Sequence, residues 1–198
     1  VVFSDANSIY APDAVRRLVR NFADPAVGYV TGRMLYRIED GSAVGEGCST
    51  FMRFENWLRG EETKLGSVVG VDGGVDAVRR ELYRPMGADQ LPDFLLPLRV
   101  RVKGFRFVYE PQALLGVDAL GESSAEFRMR VREILRALWT LFELRSLLNP
   151  FRYGVFAWQL FSHKVLRYTA FMPLLALLPL SMVLAPEAVI YQLAMGAQ

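Results

Sequence analysis

The sequence predicts an α/β domain that gives way, in its last third, to a basic amphipathic helix and then to apolar segments long enough to enter a membrane. Three observations carry this. Short apolar runs alternate with helix-spaced apolar residues over the first hundred positions, which argues a sheet with covering helices rather than a bundle. Residues 124–167 hold eight Lys/Arg against three Asp/Glu, although the whole chain has a net charge of only +2. Residues 168–186 contain no charged side chain. The chain is therefore divided at 1–123, 124–167 and 168–198.

Taken in order, Val1 to Phe3 is a short apolar run broken by Ser4-Asp5-Ala6-Asn7-Ser8, the pattern of a buried parallel strand ending in a polar loop. Pro12 fits the first turn of a helix running to about Phe22, with Val15, Leu18, Val19 and Phe22 on one face. Asp24-Pro25 stops it, and 27–36 reads as one or two strands around Thr31-Gly32. Residues 41–47, with three glycines, read as a loop, followed by a helix over 50–64 and a strand over 67–71. After Asp72-Gly73-Gly74 a short helix is expected from Asp76 to Pro85. A helix over 94–103 then leads through Gly104 into a strand at 105–109.

After Pro111 the character changes. Phe127, Val131, Ile134, Leu138, Leu141 and Leu148 fall at helical spacing, and Arg128, Arg132 and Arg136 form a cationic stripe on another face. Such a helix suits the membrane headgroup region, or else packs on the domain with its basic face in water. The run 168–186 is about the minimum to cross a bilayer, and Lys164 and Arg167 before it would keep that end in the cytoplasm. A second apolar stretch from 188 suggests a hairpin; a buried core helix is the rival reading. Val1-Val2-Phe3 reads as a strand already under way, and the last apolar segment stops within three turns, so the chain reads as a piece of a longer protein.

The composition excludes several chemistries. One cysteine, Cys48, allows no internal disulfide and no cysteine metal cluster, which suits a cytosolic domain. His163 is the only histidine, so no histidine triad or zinc cluster is available, and a structural or interfacial role is expected of it. Neither a P-loop nor a Rossmann glycine motif occurs, and nucleic acid is not expected as a partner. Carboxylates remain. Asp5 with Asn7, just past a strand, offers hard oxygen ligands to Mg2+ or Mn2+, ions that need only one or two protein ligands when bridging phosphates; the same residues also suit a turn. Asp93 is either the N-cap of its helix or a general base. Asp72-Gly73-Gly74 places a third carboxylate beside flexible backbone.

The order of these pieces resembles the processive-type, membrane-anchored glycosyltransferases of family 2, whose fold is GT-A, the nucleotide-diphospho-sugar transferase domain. The resemblance covers nearly all 198 residues. Val1 to Ser8 looks like the strand and DxD-type metal motif, in the variant Asp5-Ala6-Asn7. Val27-Gly28-Tyr29-Val30-Thr31-Gly32-Arg33 looks like the strand after it. Glu55-Asn56, Leu65-Gly66-Ser67 and the stretch from Gly70 to Arg80 resemble the acceptor-lining segment, with Asp72, Gly73 and Gly74 at its centre. Leu91-Pro92-Asp93-Phe94 stands where the family carries an acidic pair whose second member is the catalytic base. Arg128-Met129-Arg130-Val131-Arg132 takes the place of the QxxRW-type interfacial helix, and Ser162 to Arg167 leads into the membrane hairpin.

The resemblance implies an inverting glycosyltransferase that is metal-dependent, with a nucleoside diphosphate sugar as donor and a sugar or lipid hydroxyl as acceptor. Asp93 would be the base, Asp5 and Asn7 would hold Mg2+ or Mn2+, and Arg128, Arg130 and Arg132 would meet the diphosphate. It further implies an integral protein of the bacterial cytoplasmic membrane that contacts lipid, with its catalytic domain in the cytosol, making a polysaccharide or glycolipid. Departures are visible: Asn7 replaces the second Asp of the metal motif, Pro92 replaces the first acid, and Glu133 stands where a Trp completes QxxRW. The family's base-binding N-terminal half is missing, so the 198 residues alone are expected to be inactive. A catalytically degenerate membrane-associated scaffold of the same fold is the alternative.

Overall fold

The computed structural model describes residues 1–6, 8–37, 43–87, 90–118 and 123–184. Two long strands form its centre: β3 (Val27–Arg37) and β5 (Arg106–Asp118) run parallel, from Val27 opposite Arg106 to Arg37 opposite Asp118. Three short strands flank them, all antiparallel to their neighbours: β1 (Val2–Phe3), β2 (Ser8–Tyr10) and β4 (Asp76–Val78). The sheet order is β1-β4-β3-β5-β2. Alternation along each strand sends successive residues to opposite faces. Thus Tyr29 and Phe107 enter one core, with Leu96, Leu98 and Val100, while Val30 and Val108 enter another, with Ala14, Leu18 and Leu115.

The expected α/β architecture is present, with several local differences. The opening strand is an antiparallel edge strand, not a buried parallel one; Val1 and Val2 are exposed. Helix α1 (Ala14–Arg20) buries Ala14 and Leu18, whereas Val15 and Val19 face water, so the apolar face lies a residue away from the one expected. Helix α2 spans Ala43–Leu65 and takes in most of the glycine-bearing stretch read as a loop.

Residues 67–71 run beside β5 without becoming a strand. The Val68 N–H reaches the Phe107 carbonyl at 3.0 Å, but side chains take the neighbouring bonds: Ser67 Oγ accepts from Phe107 N–H and Glu62 Oε2 from Val69 N–H, each at 3.2 Å. Where a helix was expected from Asp76, the chain forms β4 and then a 3-10 turn at Arg80–Leu82. Arg79 fixes this choice: its N–H bonds to the Gly28 carbonyl and its guanidinium to those of Val27 and Phe22. Strand β5 continues through Pro111, where a change of character had been expected.

Helix α3 (Pro92–Val102) crosses one face of the sheet. Helix α4 (Ser123–Glu143), a 3-10 turn at Arg145–Leu148, and the short helices α5 (Pro150–Tyr153) and α6 (Val155–Leu160) follow. Ala137, Leu141, Leu147, Phe156 and Leu160 share the core of α3 and β5, and Phe107 meets Phe156 edge-on at 5.8 Å. The first turns of α4 pack differently. Phe127, Val131 and Ile134, expected to form its apolar face, are exposed together with Leu135, Trp139 and Phe142.

The helical path continues through a π-helical turn at Phe161–Val165 and α7 (Leu166–Thr169), breaks at Ala170, and resumes as α8 (Phe171–Leu184). Pro173 accounts for the break, because it cannot donate an N–H back to the Thr169 carbonyl. The predicted transmembrane hairpin is not formed by the described residues. Helix α8 has 14 residues, about 21 Å at 1.5 Å per residue, against a hydrocarbon core of about 30 Å. No helix among the described residues is long and apolar enough to cross a membrane. The second arm, from 188 onward, lies outside them.

Candidate active site

A cleft of about 220 Å³ opens at the β1 edge of the sheet. Its walls are Phe3, Ser4 and Asp5 after β1, Tyr29 from β3, Gly74 before β4, and Pro92, Asp93 and Leu96 from the start of α3. Asp5 and Asp93, predicted as metal ligand and base from places 88 positions apart, line the same cleft. Asn7 lies outside the described residues.

The floor is the turn at Gly73-Gly74. Both residues have positive φ, 78° and 68°, the region glycine adopts without steric cost. They must also lack a side chain for a second reason. A β-carbon on Gly73 would lie 2.5 Å from Asp93 Oδ2, and one on Gly74 would lie 2.7 Å from Asp5 Oδ2. The two carboxylates therefore rest on successive glycines. Tyr10 braces the turn: its hydroxyl lies 2.9 Å from the Gly74 carbonyl and 2.5 Å from that of Phe3.

Asp93 is not the N-cap of α3. Leu91 takes that position, Pro92 opens the helix, and Asp93 lies in the first turn with its side chain toward the cleft. Enclosure by the surrounding protein, reinforced by the negative charges of Asp5, Glu133 and Asp72, pushes its pKa up to about 6. A carboxylate poised near neutrality suits a proton acceptor.

Sequence reasoning gave no role to Asp76. It sits under the cleft on β4, 1% exposed, beside the side chains of Thr31 and Tyr29. Burial pushes its pKa up to about 8 against the opposing effect of hydrogen bonding by Thr31 and Tyr29, and the charges of Asp93 and Asp72 add to the rise. At neutral pH it is a protonated acid, the form that costs less to bury. Tyr29 beside it is pushed well above the usual tyrosine range by burial and by Asp76 and Asp93. Glu133, read only as a departure from a motif, acts on Asp93 from α4. No sequence pattern signalled either acid, because their importance comes from pairing β4 with β1 and from laying α4 against α3.

The remaining predicted residues stand elsewhere. Asp72 turns away from the cleft toward Arg59 of α2, which donates to both its oxygens, Nη2 to Oδ1 at 2.6 Å and Nη1 to Oδ2. Arg128 and Arg132 are exposed, and Arg130 pairs with Glu133 at 3.3 Å; none of the three lines the cleft. Among the described residues there is no group of three or more His, Cys, Asp or Glu able to hold a metal. Asp5 does present a hard oxygen at an open cleft, a donor set that fits an ion keeping most of its other ligands from water and phosphate.

His163 belongs to a second charged cluster. Its Nδ1 lies 3.1 Å from Glu62 and its Nε2 lies 3.3 Å from Glu55, which also accepts from Arg167 at 2.8 Å. Burial opposes ionisation of Glu55, but the His163 bond and the charges of Arg167 and Lys164 prevail and take its pKa to about 2. Burial likewise favours neutral His163, but its bonds to Glu55 and Glu62 raise its pKa above the usual value.

The fold, a central parallel strand pair with flanking antiparallel strands and a carboxylate-lined cleft at the sheet edge, is similar to folds seen in solved structures. One of the solved structures it is similar to is the mannosyltransferase PcManGT from Pyrobaculum calidifontis, solved in complex with GDP-Man and Mn2+. The TM-score is 0.56 at 21% sequence identity, over 99% of this chain and 58% of that one. The chain thus spans little more than half the length of that enzyme, and at this identity the likeness speaks to the fold. No family model and no curated protein sequence matches.

Proposed function

We propose that this chain carries the acceptor side and part of the donor side of an inverting glycosyltransferase that uses a nucleoside diphosphate sugar. The observation that carries the reading is the meeting of Asp5 and Asp93 in one cleft, each seated on its own glycine. In this reading Asp93 takes the proton of the acceptor hydroxyl, whose oxygen attacks the anomeric carbon from the face opposite the leaving group. The carbon–oxygen bond to the diphosphate breaks as the new glycosidic bond forms, so the configuration inverts. Asp5, with Asn7, would hold Mg2+ or Mn2+, which when bound offsets charge on the departing diphosphate. Arg128, Arg130 or Arg132 would add positive charge from α4, the helix whose Glu133 already acts on Asp93.

The family resemblance and the exposed apolar surface support action at a membrane face, with a lipid or growing glycan as acceptor. Phe127, Leu135, Trp139 and Phe142 of α4, and Phe171, Leu174 and Leu175 of α8, are exposed side chains of the kind that enter an interface.

The test is release of a nucleoside diphosphate by the intact protein from a panel of UDP- and GDP-sugars with Mn2+, together with calorimetric donor binding. Turnover that fails in Asp93→Asn, and donor binding lost on EDTA treatment and in Asp5→Ala, are expected; Asn7→Asp should bind at least as well. No turnover with any donor, or binding indifferent to both EDTA and Asp5→Ala, overturns the assignment.

A further inference from the structure

Arg59 lies outside the cleft and is nearly as buried as any apolar core residue, with its side chain 6% exposed and that of its partner Asp72 9%. A buried guanidinium is costly unless paired and hydrogen-bonded, and here it is. Two of its nitrogens donate to the two oxygens of Asp72, Nη1 also reaches Asn56 Oδ1 at 3.2 Å, and Glu55 lies 3.9 Å away. The two-pronged contact fixes the plane of the Asp72 carboxylate as well as its distance.

Asp72 is joined directly to Gly73, the residue under Asp93, and Gly74 beyond it carries Asp5. A pair of glycines at positive φ is the least constrained backbone in the site, since neither residue has a side chain to anchor it. Its conformation is held by the Tyr10 hydroxyl at the Gly74 carbonyl, by the Val75 N–H at the Gly73 carbonyl, and from its two ends. On the far side Val75 does so, its carbonyl accepting the Gly32 N–H at 2.7 Å and its side chain buried. On the near side the anchor is Asp72, and through it α2.

We infer that Arg59 is a positioning residue of this site: by clamping Asp72 it fixes the Gly73-Gly74 turn on which Asp93 and Asp5 rest. The inference builds on the glycosyltransferase reading. It assigns Asp72 to holding the turn rather than to touching the acceptor. It also gives the charged cluster of α2 a purpose. Glu55, which approaches Arg59 from one side, is held on the other by His163 and Arg167 of the C-terminal helical segment. The seating of those helices is thereby connected to the floor of the cleft.

The experiment uses the intact protein with Arg59→Lys, Arg59→Met, Asp72→Asn and the Arg59→Met/Asp72→Asn double variant, read by amide hydrogen exchange and by turnover of a sugar donor found active in the panel above. Arg59→Met should accelerate exchange of the amides of residues 72–75 by about tenfold or more, while the β3 and β5 amides keep their protection. It should lower kcat on the order of 10²-fold, as a misplacement near the reacting atoms does, and weaken metal-dependent donor binding as well, because Asp5 rests on the same turn. Arg59→Lys keeps the charge without the fork and should recover part of both effects, which also covers a failure of Arg59→Met to fold. The double variant should lose less than the product of the single losses, because neither partner is left buried alone. Unchanged exchange at 72–75 overturns the inference, as does an Asp72→Asn variant whose only defect is a higher KM for acceptor. A failure of the parent reading looks different: Asp93→Asn would then turn over normally or no donor would react, while the exchange result still decides the role of Arg59.

Discussion

Asp93 Oδ2 lies so close to the backbone of Gly73 that a β-carbon there would stand 2.5 Å from it, tighter than real side chains tolerate. The acid and the glycine are 20 positions apart in the chain, and the contact makes the backbone of one element part of the shape of another. A single methyl group at Gly73 would displace the acid.

Gly73→Ala should therefore fail twice. Alanine at φ 78° costs on the order of 1 kcal/mol or more from backbone strain, and the added methyl displaces the Asp93 carboxylate. Turnover should fall more steeply than stability, by about 10²-fold if the carboxylate shifts by about an ångström. Gly60→Ala is the control. Gly60 lies within α2 with no atom within 4 Å of an added methyl, so alanine should stabilise by about 0.5–1 kcal/mol and leave turnover alone. Thermal melts and initial rates on both variants check this.

Asp93→Asn keeps the size of the side chain but cannot take a proton. Turnover should drop by about 10²–10⁴-fold with donor affinity retained. In the parent protein the base works only when ionised, so with its pKa raised to about 6 the rate should fall as the pH is lowered through 6. Removing one neighbouring negative charge should make Asp93 easier to ionise: Glu133→Gln should move the acid limb to lower pH. Rate profiles between pH 4.5 and 8 decide it, and an acid limb that stays in place in Glu133→Gln removes Glu133 from the site.

What the sequence showed and what it hid divide along physical lines. Strand β3, the first part of β5 and α3 were recognisable because their apolar periodicity is local, and Asp5 and Asp93 stood out because each follows an element boundary with a recognisable neighbourhood. Asp76 was hidden: a lone aspartate between valine and alanine in the sequence says nothing of the β1 and β3 strands that bury it. Residues 67–71 looked like a strand because they are apolar, but Ser67 and Glu62 supply from side chains the bonds a ladder would have made. The uncharged run after Arg167 looked like one membrane helix because prolines such as Pro173 and Pro179 are tolerated in spanning helices, whereas here Pro173 leaves the Thr169 carbonyl without its helical donor. The exposure of Phe127 at one end of α4 and the burial of Leu141 at the other come from tertiary packing, which a single helical period cannot report.

Asp76→Asn tests the protonated acid under the cleft. Its pKa is about 8 in the folded chain against about 3.8 unfolded. The folded state thus binds the extra proton, so its stability is greatest below the unfolded value and is lost as pH rises through 8, at up to about 1.4 kcal/mol per pH unit. Asparagine resembles the neutral acid and does not titrate. Denaturation of the parent protein between pH 5 and 8.5 should show a loss that is much reduced in Asp76→Asn. Equal slopes in the two proteins would mean that Asp76 is ionised in the fold.

His163 gives a dependence of the same sign from the opposite charge type. Its pKa is raised in the fold by Glu55 and Glu62, so its contribution is fully present below the unfolded value near 6.5 and fades as pH rises through the folded one. Lys164 and Arg167 face the same carboxylates, burial lowers Lys164 itself to about 8, and Glu55 remains ionised down to about pH 2, so its charge is unchanged across the neutral range. His163→Gln retains hydrogen bonding without the charge. Between pH 6 and 8 its stability should vary less than that of the parent, and the parent should be the more stable of the two at pH 6. The Asp76→Asn background removes one of the two titrations, so the pH dependence that His163→Gln takes away from it reports the imidazole. Denaturant midpoints for the parent, both single variants and the double variant at pH 6 and 8 complete the comparison. If His163→Gln leaves the pH dependence unchanged in the Asp76→Asn background, the imidazole is neutral in the fold, and the joining of α2 to the C-terminal helices rests on Arg167 and Glu55 alone.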